Sequence, residues 1–177
     1  MTDIAIVGGG IGGLVAGIAL QNAGYNPIVY ERAPQFGEVG AGLSLSPNAV
    51  KGLESLGFGQ FLLETANEPL DQFILHGETG EVLQRIDRRN CRDQYGAAYY
   101  QLHRADMLEA LVQRFGPENC RMNHALQGLT QDEQGVTLQF EDGSEERADA
   151  VIGADGLRSV IRDILFDTPA PLFSGHV

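Results

Sequence analysis

Four aliphatic residues in succession, Ile4 to Val7, are followed at once by five glycines between Gly8 and Gly13. A short, uniformly apolar run bounded by glycine predicts a strand buried on both faces, as in parallel sheets. Leu14, Ile18 and Ala19 then recur at helical spacing over residues 11–23, with Gly24 as a stop signal. Pro27 to Tyr30 predicts a second strand, which completes one βαβ unit. A turn-rich segment leads into a helix over about residues 48–56. Asp71–Leu75 and Glu81–Ile86 flank HGETG and predict a hairpin. A further helix is expected over residues 105–115. Gln134-Gly135 separates two alternating stretches, and Glu141–Gly143 marks another turn, a pattern that predicts a β-meander. Ala150 to Ile152 repeats the character of Ile4–Val7 and ends in Gly153, with a helix expected from about Leu157.

The glycine cluster needs a physical reason, because glycine costs backbone entropy and packs nothing. Gly8, Gly10 and Gly13 fit GxGxxG between a strand and a helix, with Gly12 in the same turn. Gly8 allows a tight turn, Gly10 leaves room for a pyrophosphate against the backbone, and Gly13 lets the helix approach the sheet. The helix N-terminus then presents free N–H groups and its positive dipole end to the phosphates. Glu31 lies 18 positions past Gly13, at the end of the second strand. A carboxylate there can accept hydrogen bonds from both ribose hydroxyls of an adenosine and would repel a 2′-phosphate. The pattern points to a dinucleotide, leaves FAD and NAD both open, and is also compatible with a glycine-rich turn that binds nothing. The expected fold class is α/β, Rossmann-like, with a mainly parallel sheet, a β-meander and flanking helices.

Composition narrows the function classes. The 177 residues carry a formal net charge of −12, which argues against nucleic acid or an anionic membrane as partner. No apolar run approaches the length of a membrane span, and the expected location is cytoplasmic. Cys91 and Cys120 form no CxxC and have no histidine at ligand spacing, so they read as structural or free thiols and no metal site is expected.

A second motif decides what kind of dinucleotide protein this resembles. VIGADGLRSVIR places Asp155-Gly156, Ser159 and Arg162 in a DGxxSxxR pattern after a buried strand. Together with ERAPQFGEVGAGLSLSPNAV and LHRADMLEAL, in the same order along the chain, it makes the sequence resemble the single-component FAD-dependent aromatic hydroxylases, such as salicylate, 3-hydroxybenzoate and para-hydroxybenzoate hydroxylases. The resemblance implies that the glycine turn and Glu31 hold the ADP half of FAD, with Arg32 beside the adenosine. It places Ala41 and Gly42 near the flavin end, Arg104 on the FAD and Leu126 at the adenine. Asp155 would serve both the FAD pyrophosphate and the NADH or NADPH that reduces the flavin. Molecular oxygen and a small phenolic or benzoate-type aromatic would be the other reactants. From the residues alone, Arg32 also reads as a solvated charge, Arg104 as a surface partner of Asp106, and Asp155 as a helix cap.

Other candidates carry less. His76, His124 and His176 have no catalytic partner in the sequence, His103 before Arg104 reads as orienting the entry to the helix, and Tyr95, Tyr99 and Tyr100 read as strand packing. Ser44 stands where some pyridine hydroxylases of the resembled family carry histidine, which weighs against a pyridine substrate. The family's downstream Gly-Asp motif and its substrate domain do not occur in these residues, and no catalytic base is identified. The chain is therefore expected to be an N-terminal portion, with an FAD-binding domain over residues 1–168 and the start of a truncated substrate domain over 169–177. Another flavin enzyme on this scaffold (halogenase, epoxidase or reductase) and a non-catalytic flavin-binding module are the alternatives. Association into a homo-oligomer is expected if an apolar face is left uncovered.

Overall fold

The computed structural model describes residues 2–37, 41–166 and 171–175, in two compact units formed by residues 1–37 with 108–177 and by residues 38–107. The first unit opens with β1 (Asp3–Val7), α1 (Ile11–Asn22) and β2 (Asn26–Tyr30). The second contains β3 (Gly42–Leu45), α2 (Pro47–Ser55), α3 (Gly59–Thr65), β4 (Asp71–Leu75), β5 (Val82–Asp87), α4 (Cys91–Tyr95) and β6 (Tyr100–His103). Helix α5 (Arg104–Phe115) runs from the second unit into the first. There β7 (Cys120–Arg121), β8 (Leu126–Asp132), β9 (Gly135–Phe140), β10 (Glu145–Ala148), β11 (Ala150–Gly153) and α6 (Val160–Phe166) follow.

In the first unit a parallel sheet has the order β11-β1-β2-β7. Val7 lies opposite Gly153 on one side and Tyr30 on the other, so three strands end level and release their loops at one edge. The sheet is apolar on both faces, which is why Ile4–Val7 shows no alternation. On one face Ile6, Leu14 and Ile18 are fully buried. Gly17 brings α1 against the Phe115 ring, since a Cβ there would lie 2.6 Å from Phe115 Cε2, and Gln21 Nε2 donates to the Phe115 carbonyl (2.9 Å). On the other face Ala5, Val7 and Tyr30 pack with Leu138, Phe140 and Ala148 of an antiparallel meander ordered β10-β9-β8. Alternation in β9 decides this: Val136, Leu138 and Phe140 are buried, whereas Thr137 and Gln139 face away. The Tyr30 and Phe140 rings stack at 5.0 Å, and His124 meets Phe140 edge-on at 4.9 Å. Burial first, and the Glu146 carboxylate next, push the Tyr30 phenol above its ordinary range.

In the second unit β3 and β6 pair antiparallel, Gly42 opposite His103 and Leu45 opposite Tyr100. Helix α2 begins with Pro47 in its first turn and buries Val50 and Leu53. The hairpin β4–β5 forms as its sequence predicts. Arg85 and Arg89 flank Asp71 at 2.7 and 2.5 Å, and their hydrogen bonds hold its carboxyl below the usual carboxylate range. Phe73, Leu75, Val82 and Leu83 of the hairpin are exposed.

Three differences from the sequence reading stand out. The short helices α3 and α4 have no counterpart in the predicted pattern. The segment around Ser44, read as a turn-rich connection, contains β3. The last helix starts at Val160 rather than near Leu157. The expected domain border at 168/169 and His176 lie outside the described residues.

Candidate functional site

The level strand ends of the first unit gather the glycine turn, Glu31 and the Asp155 loop at one edge. The Gly8 N–H donates to the Tyr30 carbonyl and the Ala154 N–H to the Val7 carbonyl, both at 2.8 Å. Gly8 has φ +111°, and a Cβ on it would fall 2.3 Å from the Ala154 carbonyl oxygen. A Cβ on Gly13 would fall 2.0 Å from the Gly8 carbonyl oxygen, so this glycine sets the distance between α1 and the turn. Gly10 and Gly12 differ in kind: a Cβ on either meets nothing within 4 Å. Their missing side chains leave open space in front of a helix N-terminus. Gly10 makes no side-chain cap, the first turn of α1 has no acidic residue, and the first helical bond runs from the Leu14 N–H to the Gly10 carbonyl. Free N–H groups, the positive dipole end and an unfilled cradle suit an anionic diphosphate.

Glu31 is anchored on both oxygens, accepting from the Gly9 N–H at Oε2 (2.7 Å) and from the Ala33 N–H at Oε1 (2.9 Å). Each oxygen retains a lone pair, which is the capacity needed for two ribose hydroxyls. The sequence reading gave no role to Gly9. A Cβ there would stand 2.8 Å from Phe36 Cε1 and 3.0 Å from Glu31 Oε2, so Gly9 is small because a carboxylate and a ring close on it. Within GGG nothing marked Gly9 as separate, and nothing in the sequence linked it to Phe36. Arg32 is exposed. Leu126 is 8% exposed, and its side chain belongs to the apolar core between sheet and meander rather than to an open surface.

The DGxxSxxR stretch folds largely onto itself. Asp155 Oδ1 accepts from the Ser159 hydroxyl (2.6 Å), and Oδ2 accepts from the N–H groups of Val160 (2.7 Å) and Ile161 (3.2 Å). Ser159 Oγ accepts from the Arg162 N–H (3.0 Å), while Arg162 Nη1 donates to the Leu157 carbonyl (2.9 Å). The aspartate thus caps α6, three residues later than expected. Asp155→Ala is expected to lower stability by about 1–2 kcal/mol, as loss of a helix cap does, and a thermal melt checks it as a drop of several degrees.

In the second unit β3–β6 pairing brings Ala41 and Gly42 beside the start of α5: the Arg104 N–H donates to the Ala41 carbonyl at 2.9 Å. His103 stands opposite Gly42, and Ser44 opposite Gln101. Two further histidines, His76 and His124, have local tasks. His76 Nδ1 accepts from the N–H groups of Glu78 and Thr79 (both 3.3 Å) in the hairpin turn, and His124 Nδ1 lies 2.7 Å from the Met122 carbonyl. Tyr99 lies under Arg88 at 4.3 Å, and Tyr100 receives a hydrogen bond from Arg92 (2.8 Å). Both cysteines are free. Burial first, and Glu118 next, push the Cys120 thiol up to about 11. Iodoacetamide at pH 8 is therefore expected to alkylate Cys120 about a hundredfold more slowly than an ordinary thiol, read by peptide mass spectrometry.

A cleft of about 190 Å³ lies elsewhere in the first unit, lined by residues including Asp3, Tyr30, Arg121, Glu146 and Arg147. Its cations are engaged, Arg147 with Asp132 and Thr137 and Arg121 with the Glu118 carbonyl, so it lacks the free donors of the glycine edge. No metal-binding cluster occurs among the described residues, and no helix there is long and apolar enough to cross a membrane.

Residues 1–170 match the family described as FAD binding domain. The chain is 37% identical over 174 residues to 3-amino-4-hydroxybenzoate 2-monooxygenase PtnB3 of Streptomyces platensis, covering 98% of this chain and 44% of that protein. It is 35% identical over 175 residues to 6-hydroxynicotinate 3-monooxygenase of Pseudomonas fluorescens, covering 98% of this chain and 46% of the relative. The crystal structure of Klebsiella pneumoniae HpxO with FAD and uric acid superimposes with a TM-score of 0.80 at 29% identity, over 92% of this chain and 41% of that one. The chain spans under half the length of the relatives it matches.

Proposed function

The chain belongs to the FAD-binding domain family, and from that premise we propose that it is the FAD-binding part of an NAD(P)H-dependent flavoprotein monooxygenase acting on a small hydroxylated aromatic acid. The observation that carries the reading is the glycine edge, where Gly10 leaves a cradle open in front of the α1 N-terminus beside the anchored carboxylate of Glu31. Bound FAD would supply hydride acceptance and oxygen activation. The residues of this chain bind and orient. The N–H groups at the start of α1 hold the pyrophosphate, and Glu31 takes the ribose hydroxyls. Arg32 stands at the exposed rim for the adenosine. Leu126 contributes packing beneath the adenine side. Asp155 fixes the loop that adjoins Gly8, and Ala41, Gly42 and Arg104 form a second group for the flavin end.

For the substrate, a phenolic or benzoate-type ring has support from the aminohydroxybenzoate relative. The hydroxynicotinate relative supports a pyridine acid as directly, and Ser44, paired in a β-ladder, gives no geometric ground to exclude one. Titration of the 177-residue chain with FAD, followed by flavin fluorescence, is expected to show saturable binding, and its absence would overturn the cofactor reading. In the protein that carries this chain, 3-hydroxybenzoate, salicylate or 6-hydroxynicotinate is expected to stimulate NADH or NADPH oxidation and to yield a hydroxylated product. Stimulated oxidation without such product would sink the monooxygenase assignment.

A further inference from the structure

We propose that Phe36 is a positioning residue that sets how Glu31 reads the ribose of the adenosine half of FAD, an inference that rests on the FAD reading above. The chain leaves β2 at Glu31 and folds back on itself. The Ala33 N–H donates to Glu31 Oε1 (2.9 Å), the Glu31 carbonyl accepts from the His124 N–H (2.9 Å), and the Ala33 carbonyl accepts from the Asn123 N–H (3.0 Å). Asn123 takes φ 61°, a left-handed conformation that asparagine tolerates, so that its N–H can make this bond. With the backbone pinned at these points, the half-buried Phe36 ring returns to the glycine turn. A Cβ on Gly9 would lie 2.8 Å from Phe36 Cε1 and 3.0 Å from both Glu31 Cβ and Oε2, so the ring edge and the carboxylate close on the same glycine.

Two physical consequences follow. The ring edge closes the space into which the Gly9 peptide could tilt, so the Gly9 N–H stays on Oε2 (2.7 Å) and the carboxylate keeps one rotamer. It also keeps water from that side of the carboxylate, which strengthens the hydrogen bonds the remaining lone pairs can accept. A Glu31 fixed in this way discriminates a ribose with both hydroxyls from one lacking the 2′-hydroxyl. A Glu31 free to turn can satisfy either.

The test is calorimetric titration of ADP and 2′-deoxy-ADP into the full 177-residue chain and into Phe36→Ala, Phe36→Leu and Phe36→Tyr, with thermal melts alongside. The unaltered chain is expected to prefer ADP by about tenfold, the size of one hydrogen bond to a charged group. Phe36→Ala should compress that preference to about twofold, Phe36→Leu should be intermediate, and Phe36→Tyr, which keeps the ring, should restore it. A preference unchanged in Phe36→Ala, or both nucleotides weakened equally, overturns the proposal and leaves the FAD reading standing. If Phe36→Ala does not fold, Phe36→Leu decides, and an unchanged ratio there overturns it. Binding of neither nucleotide nor FAD by the unaltered chain overturns the proposal and the FAD reading together.

Discussion

Gly13→Ala is expected to destabilise the protein by about 3 kcal/mol, the upper part of the range for forcing extra volume into a closed site, although helix propensity alone favours alanine. Alanine inside a helix gains about 1 kcal/mol over glycine, and Gly13 is the third residue of α1. The opposing effect is a Cβ placed 2.0 Å from the Gly8 carbonyl oxygen and 3.3 Å from Ile6 Cγ2. The first atom is backbone and cannot rotate away. Relief requires α1 to lift from the sheet, which uncovers Leu14 and Ile18, both fully buried. A thermal melt should show a fall of about 10 °C for a chain of this size. Gly12→Ala is the control. It sits one residue earlier in the same helix with nothing within 4 Å of its Cβ, so propensity acts unopposed and the midpoint should rise slightly. A Gly13→Ala variant as stable as the unaltered chain would show that the turn can re-form around a methyl group, and the close-approach account of this glycine would fail.

The sequence spoke most clearly where local pattern and tertiary role coincide. A strand buried on both faces, a glycine turn and an apolar helix with Leu14 and Ile18 at helical spacing each have a local signature, so β1, α1 and β2 were legible to within a residue or two. So was the meander, because Val136, Leu138 and Phe140 alternate with polar residues along β9. The elements that escaped are short and depend on distant partners. Strand β3 is four residues, GLSL, held by pairing with Tyr100–His103 at the far end of the second unit. Helix α3 spans seven residues, too few for a period to declare itself, and lacks a side-chain cap. The start of α6 was misplaced because Gly156, at φ +79°, lets the Asp155 carboxylate reach forward to Val160 and Ile161 instead of capping the next turn. At the site, GxGxxG described which glycines a pyrophosphate needs. It could not describe Gly9, whose smallness answers to Glu31 and Phe36, brought beside it only by the pairing of β1 with β2 and the return of the following loop. Leu126 is placed at the adenine by resemblance alone; what the fold adds is that its side chain packs in the core between sheet and meander, which no local pattern announces.

Gly10→Val separates the two kinds of glycine in one experiment, because it should leave the fold intact and remove the cofactor. The backbone at Gly10 has φ −75° and ψ 179°, an extended conformation that any residue adopts, so valine introduces no strain there. Its Cβ would enter space in which nothing lies within 4 Å. The melting temperature is therefore expected to stay within about 2 °C of the unaltered chain, a change below 1 kcal/mol. That same space is where a pyrophosphate must come to reach the N–H groups at the start of α1. A branched side chain holds the phosphates away and costs about two charge-assisted hydrogen bonds, roughly 3–4 kcal/mol together. FAD affinity should fall by a factor of several hundred, measured by flavin fluorescence titration. Retained affinity in a folded Gly10→Val chain would mean that the diphosphate does not lie against this turn, and the open cradle would then need another explanation. Loss of both fold and affinity would contradict the open space itself. Only an unaltered melt with lost binding agrees with a glycine kept for its ligand rather than for its neighbours.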